Sequence, residues 1–294
     1  MTDTINGCII CGDKSTTKEH IIPRWLQKHF SLENKGLGLW NKSNLLYKQA
    51  TIQLCQNCNG NVLSRLELRI QNNSATDTDY YLWALKIRFL LSAKDTTLQL
   101  DIKDPTKGKL LSFEDGFIGH EYVKHALQNF EAPEFYFKPN PLGSVLLLDN
   151  PVKDDEFGFI DVPNPYWGIV ISLPNNKILA TLLTDRGMVK REIEKNFQHK
   201  GGIKNYIKSI AATSTNELIR IIMLKLLFNQ YQLKNIPYNF SLKDKAIISG
   251  KVPKSANYRT RLKKEVLIHI CQTIGLDAKF GIEIYNSLPD IYKA

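Results

Sequence analysis

CIICGDKSTTKEHIIPRWL at residues 8–26 and LCQNCNG at residues 54–60 decide how this chain reads. Each stretch carries a CxxC pair, Cys8/Cys11 and Cys55/Cys58. Two cysteines three positions apart across a tight turn can both reach one ion at about 2.3 Å. Gly12 follows the first pair and Asn59-Gly60 the second, and such residues suit turn backbones. Four thiolates favour Zn²⁺ and leave no open coordination position, so the expected metal is structural. Nothing in MTDTINGC reads as a secretory signal, which argues against two disulfides. The pairs stand 43 residues apart, against about 15–20 in the usual double-CxxC pattern. Zinc would therefore close a long loop, and the loop carries the chemistry.

Inside that loop lies Glu19-His20-Ile21-Ile22-Pro23. A neutral imidazole suits deprotonation of water at neutral pH. A carboxylate is a hard oxygen ligand for Mg²⁺ or Mn²⁺. Asn59 adds an oxygen donor just after the last cysteine, and VLSRLELRI at residues 62–70 reads as a helix that starts there. The bland alternatives are a histidine satisfied in a turn and an asparagine serving as a helix cap. Geometry also resists the site: adjacent side chains of a regular strand face opposite ways. Glu19 and His20 share a site only if the strand is distorted near Pro23.

CxxC, then EHIIP, then CxxCN with a following helix resembles the HNH nucleases of the His-Me finger (ββα-metal) superfamily, in the variant where EH replaces DH. The resemblance covers residues 8–70 and fades beyond residue 92. It implies His20 as general base, Glu19 as a ligand of the catalytic Mg²⁺ or Mn²⁺, and Asn59 as its second ligand on the helix. It also implies an asparagine that orients the histidine. Asn44 fills that place, although Asn44-Leu45 lies eleven positions before Cys55 rather than about five, and Asn41 competes with it. The implied activity is metal-dependent hydrolysis of phosphodiester bonds, with DNA favoured and RNA left open. A free nuclease endangers its host, so a regulatory protein partner, within a restriction or phage-defence system, is expected. The competing function is a non-catalytic zinc module that binds nucleic acid or protein. Such a module needs none of Glu19, His20 and Asn59.

The composition fits these readings. The chain has 294 residues, a formal net charge of +10 and 43% hydrophobic residues, ordinary for a folded soluble protein. Its charge is uneven: residues 200–294 hold 16 Lys and Arg against 6 Asp and Glu, and the first 199 residues balance. A basic surface of this kind suits phosphate backbones. KVPKSANYRTRLKK at residues 251–264 is the best candidate for a phosphate-contacting segment. The longest apolar block, IIMLKLLF at 221–228, is too short to span a bilayer. No membrane partner is expected, and the reduced cysteines suit the cytoplasm. Cys271 reads as a buried apolar residue rather than a nucleophile.

The expected fold class is α+β. A zinc-stapled HNH unit with connecting helices occupies residues 1–92. An α+β domain with a small antiparallel sheet follows at 93–199. A basic helical region at 200–294 would bind nucleic acid or a partner. Short helices are expected over PRWLQKHF (23–30), from Val62 to Gln71 and over HEYVKHALQNF (120–130). His29, His120 and His125 read as ordinary histidines. ENKGLGLWNKSN (33–44) reads as a loop, and DTTLQLDIKDPTKGK (95–109) as a strand and turn. Tyr80 to Leu91 reads as a core helix. EFYFKP, SVLLL, FGFIDV, YWGIVISL and ILATLLT read as strands, with a hairpin turn at Pro174–Lys177. Asp154-Asp155-Glu156 reads as a solvated turn. Four helices are expected from Arg186 onward, the third capped by Ser214 or Thr215 and apolar nearly all round.

Overall fold

The computed structural model describes residues 7–39, 44–109, 121–133, 135–137, 140–152, 154–162, 168–183, 185–197, 202, 207, 210–232, 238–243, 245–250, 264, 268, 277–279, 282 and 286. The chain forms two compact units, Met1–Tyr136 with Leu242–Ile247, and Phe137–Ser241 with Ile248–Ala294. The architecture is mixed α+β, with small antiparallel sheets and helices.

The first unit begins with strand β1 (Thr17–His20), which pairs antiparallel with β4 (Thr51–Leu54). Between them lie helix α1 (Arg24–His29) and a ribbon of β2 (Gly36–Gly38) and β3 (Asn44–Leu46). Residues 36–38 were expected in a loop; they pair instead as Gly36↔Leu46, Leu37↔Leu45 and Gly38↔Asn44. Pro23 precedes the first turn of α1 with φ −55°, close to the angle its ring fixes. Gln27 of α1 is buried and donates to the carbonyls of Ile22 at 2.7 Å and Tyr47 at 3.4 Å. This polar side chain thereby closes the backbone of two loops, a role that apolar periodicity does not reveal.

After β4 the chain makes a wide turn, Asn57–Leu63, with π-helical spacing: Ser64 N–H donates to the carbonyl of Asn59, five residues back. Helix α2 (Ser64–Gln71) continues from it. Leu63, Leu66 and Ile70 are its buried line, as the i, i+3, i+7 pattern predicts. Helix α3 (Asp77–Asp95) is buried along nearly its whole length. Thr76 caps it: its hydroxyl accepts from Asp79 N–H while the Asp79 carboxylate accepts from Thr76 N–H, a reciprocal capping box. Residues 95–109 contribute one bridge, Gln99↔Lys109, instead of a strand. Helix α4 (Glu121–Asn129) buries Val123, Ala126 and Leu127 and packs on α3. That packing carries the first unit to residue 136, well past the expected boundary at 92.

The second unit is built on a four-stranded antiparallel sheet. Its strands are β5 (Ser144–Asp149), β6 (Phe159–Val162), β7 (Gly168–Leu173) and β8 (Lys177–Leu182), in the order β5-β8-β7-β6. Asn175 and Asn176 turn β7 into β8 with φ of 60° and 53°, the left-handed pair that a tight hairpin requires. Residues 135–137, expected in a strand, have no strand pairing. Helices α5 (Met188–Phe197) and α6 (Thr215–Gln232) lay Val189, Ile193, Leu218, Ile222, Met223 and Leu226 against Leu146, Val170, Ile178 and Leu182. Burial against the sheet explains why α6 is apolar nearly all round. It also joins residues on both sides of the expected boundary at 199–200. A ribbon of β9 (Tyr238–Lys243) and β10 (Lys245–Gly250) interrupts a stretch read as helical.

Two carboxylates organise this unit's loops. Asp185 accepts from the backbone N–H groups of Ser144 (2.7 Å), Gly187 (3.3 Å) and Val189 (2.8 Å), and from the Ser144 hydroxyl. It thereby caps α5 and fixes the start of β5. Asp154 accepts from the N–H (2.8 Å) and the hydroxyl of Thr215 at the start of α6, so it anchors a helix where only a solvated turn was expected. Ser214 Oγ accepts from Glu217 N–H at 3.2 Å and is the side-chain cap of α6.

Candidate metal centre and the adjoining imidazole

Cys8, Cys11, Cys55 and Cys58 converge, with their sulfurs all within 4.8 Å of one another. Cys11 Sγ and Cys55 Sγ lie 3.5 Å apart, and all four are free thiols. Sulfurs at about 2.3 Å from a common ion stand about 3.8 Å apart in a tetrahedron, whereas a disulfide needs about 2.05 Å. The cluster therefore has the size of a tetrahedral metal site and can hold one ion such as zinc.

Its backbone is folded for the task. Gly12 adopts φ +85° and its N–H donates to the Cys8 carbonyl at 2.8 Å, a left-handed turn that glycine makes without strain. Cys58 N–H points at Cys55 Sγ at 3.4 Å, which stabilises negative charge on that sulfur. Gln128 of α4 donates to the Ile10 carbonyl at 2.7 Å and ties the first knuckle to the helices. Without a cation, four crowded sulfurs cannot all ionise. Burial pushes the Cys11 thiol up to about 12 and Cys58 higher still. Cys55 falls despite burial, because Cys58 N–H and the neighbouring thiols donate to it. A divalent ion removes this conflict by favouring all four thiolates.

His20 ends β1 and is half-buried. Burial lowers its pKa below the ordinary imidazole value; Glu19 opposes this, while Arg24 and Lys86 reinforce it. This shift favours the neutral ring, the form in which an imidazole accepts a proton.

Glu19 lies elsewhere. The pairing of β1 with β4 is regular through Glu19↔Ile52 and His20↔Thr51, so the two side chains leave the strand on opposite faces. Glu19 turns inward, 9% exposed, and its carboxylate accepts from the Lys86 ammonium. Lys86, in the middle of α3, is fully buried and also donates to Glu67 of α2. Burial alone would lower the ammonium's pKa, but Glu19 and Glu67 outweigh it and hold the group at about 12.

Asn59 sits in the wide turn, and its amide nitrogen donates to Thr17 Oγ1 at 2.9 Å. Thr17 Oγ1 in turn donates to the Leu54 carbonyl at 3.0 Å. Asn59 thus reaches the β1–β4 ribbon beside the cysteine cluster. Asn44 does not orient His20: it is exposed on β3 opposite Gly38, and no hydrogen bond joins the two among the described residues. The β2–β3 pairing takes Asn44 into a ribbon of its own, which its spacing from Cys55 did not foretell. Asn41 lies outside the described residues, as do residues 251–263 and Cys271. His29 is exposed and edge-on to Phe30, and His125 neighbours Asn129 and Phe135; His120 lies outside the described residues. The side chains that sequence reasoning missed are Lys86 and Glu67. The signal was available: a lysine within the apolar run YYLWALKIRFLL demands buried acids.

Among the described residues no helix is long and apolar enough to cross a membrane. No family model, curated protein or solved structure matches the chain.

Proposed function

We propose that this chain is an endonuclease of the HNH type that hydrolyses phosphodiester bonds, in DNA in the first instance, with Zn²⁺ as the structural ion of its four cysteines. The observation that carries this reading is the placement of His20. A half-buried imidazole ends the first strand of a two-stranded ribbon, and the four-thiol cluster staples that ribbon to the helix that follows. His20 takes a proton from water as the water attacks phosphorus in line; the bond from phosphorus to the opposite sugar oxygen breaks, and that oxygen leaves and takes a proton from solvent. Zinc held by Cys8, Cys11, Cys55 and Cys58 would have no open position for chemistry; those four cysteines would serve to hold Cys55–Asn59 against the strand that bears the base.

The family resemblance also calls for Mg²⁺ or Mn²⁺ held by Glu19 and Asn59. Asn59 suits that part, because its amide nitrogen is spent on Thr17 and its carbonyl oxygen remains as a donor to a cation. Glu19 does not fit, because Lys86 holds its carboxylate and the strand aims it away from His20. The test is cleavage of supercoiled plasmid and of RNA by the pure chain, with Mg²⁺, Mn²⁺ or EDTA. His20→Ala is expected to keep zinc and nucleic-acid binding and to lose at least ~10²-fold in cleavage, the usual worth of a general base. A His20→Ala protein that cuts like the parent refutes the reading.

A further inference from the structure

We infer that Glu19, Lys86 and Glu67 form a buried charge triad that positions the strand bearing His20, and that Glu19 is a positioning residue rather than a metal ligand. This rests on the nuclease reading for its activity readout, though not for its geometry.

The three groups come from three elements. Glu19 is on β1, Glu67 on α2 and Lys86 on α3. One ammonium, with no exposed surface, donates to one carboxylate oxygen of each acid. Charges are retained in such a place only when paired and hydrogen-bonded. Both acids are also largely shielded, with side chains 11% and 17% exposed. A flexible lysine stem alone would leave the acids loosely placed, but here Lys86 is fixed by the helix around it. Trp83, three residues earlier on α3, stacks on Trp25 of α1 at a centroid distance of 6.2 Å. α3 thus holds β1 through Glu19 and α1 through Trp25, on either side of His20. The imidazole, one residue beyond Glu19, inherits that placement.

The two roles for Glu19 separate under charge reversal. In Glu19→Lys/Lys86→Glu the buried group still contains one ammonium and two carboxylates, with Glu67 unchanged. A positioning role survives the exchange, whereas a metal ligand does not survive replacement by lysine. Glu19→Lys and Lys86→Glu alone, with zinc retained, should each lower the melting temperature of the first unit by roughly 10 °C or more. The double variant is expected to regain most of that loss and to cut plasmid, with Mg²⁺ or Mn²⁺, within about tenfold of the parent, while each single variant falls by 10²-fold or more. A double variant that melts like the parent yet does not cut overturns the inference, because Glu19 then has a chemical role. A double variant that regains no stability overturns it too, because the triad is then not the link. If the parent itself cuts neither plasmid nor RNA, the nuclease reading fails, and the melting data still decide whether the triad joins strand to helices.

Discussion

Replacing Lys86 with methionine removes the ammonium while keeping the volume of the side chain, so that packing along α3 is little disturbed. Two hydrogen bonds to charged acceptors are lost, one to Glu19 and one to Glu67. Each is worth about 1.5–3 kcal/mol. Against this stands the recovered cost of burying the ammonium, so the net loss is that of breaking a buried ion group, about 3–5 kcal/mol. For a unit of this size roughly 3–5 °C accompanies each kcal/mol, which places the expected drop at roughly 9–25 °C. The assay is thermal unfolding of the zinc-bound full chain, followed by a probe specific to the first unit, at pH 7.5 and pH 5. The pH comparison carries a definite sign. Burial already raises the Glu67 carboxyl above its ordinary range against the pull of Lys86, and without Lys86 it rises further. A carboxyl whose folded pKa exceeds the unfolded value of about 4.3 binds its proton more readily in the fold, so its penalty is full at high pH and shrinks on acidification. The stabilising share of Lys86 itself is complete below about 10.5 and is lost only as pH passes its raised value of about 12; it is constant across the assay. The gap between parent and variant should therefore narrow from pH 7.5 to pH 5. A variant within 2–3 °C of the parent at both pH values, on the order of half a kcal/mol, refutes the energetic argument, and a gap that widens on acidification refutes the sign.

Three further outcomes are expected. Metal analysis should give one zinc per chain, lost in Cys58→Ser together with the cooperative melting of the first unit, since binding energy at such sites is folding energy; zinc-free protein that is fully folded would contradict this. For cleavage, the rising limb of the pH–rate profile should have its midpoint below 6.5, since burial lowers the His20 pKa, and a midpoint clearly above 6.5 would point to another base. Asp185→Ala should destabilise the second unit by about 2–4 kcal/mol, because the N–H groups of Ser144, Gly187 and Val189 lose their shared acceptor; denaturant unfolding within 0.5 kcal/mol of the parent would contradict that count.

Much of this molecule was legible where a short-range rule governs. CxxC spacing forecast the cysteine cluster, and short apolar runs set off by turn residues forecast all four strands of the larger sheet. The run around Trp83 forecast a core helix. What failed depends on contacts between distant residues. Gly36–Gly38 is too short and glycine-rich to announce a strand, and its partner β3 supplies the pairing. The first boundary moved because α4 returns to α3, which no local pattern encodes. Asp154 looked like one of three solvated acids until Thr215, 61 residues away, came to meet it. At the candidate site, His20 and the cysteines were readable by type and spacing. The fate of Glu19 was not, because it is decided by a lysine 67 residues further along the chain.

The wide turn at Asn57–Leu63 has a consequence for how sequence change can act on this region. Each residue of an α-helix advances the azimuth by about 100°, and a π-type turn takes in one residue more than an α-turn over the same rise. The turn therefore takes up one residue between two loads on one helical rod: Cys58 and Asn59 at one end, and the buried line Leu66–Ile70 at the other. One residue added to a plain α-helix would turn its two ends about 100° out of step; the wider turn absorbs that residue and keeps Asn59 and the core-facing side of α2 in phase. Loss of one residue within residues 60–63 that restores α spacing should therefore leave the bearing of Asn59 toward β1 and the seating of α2 nearly unchanged, whereas the same loss between Ser64 and Ile70 would turn one against the other.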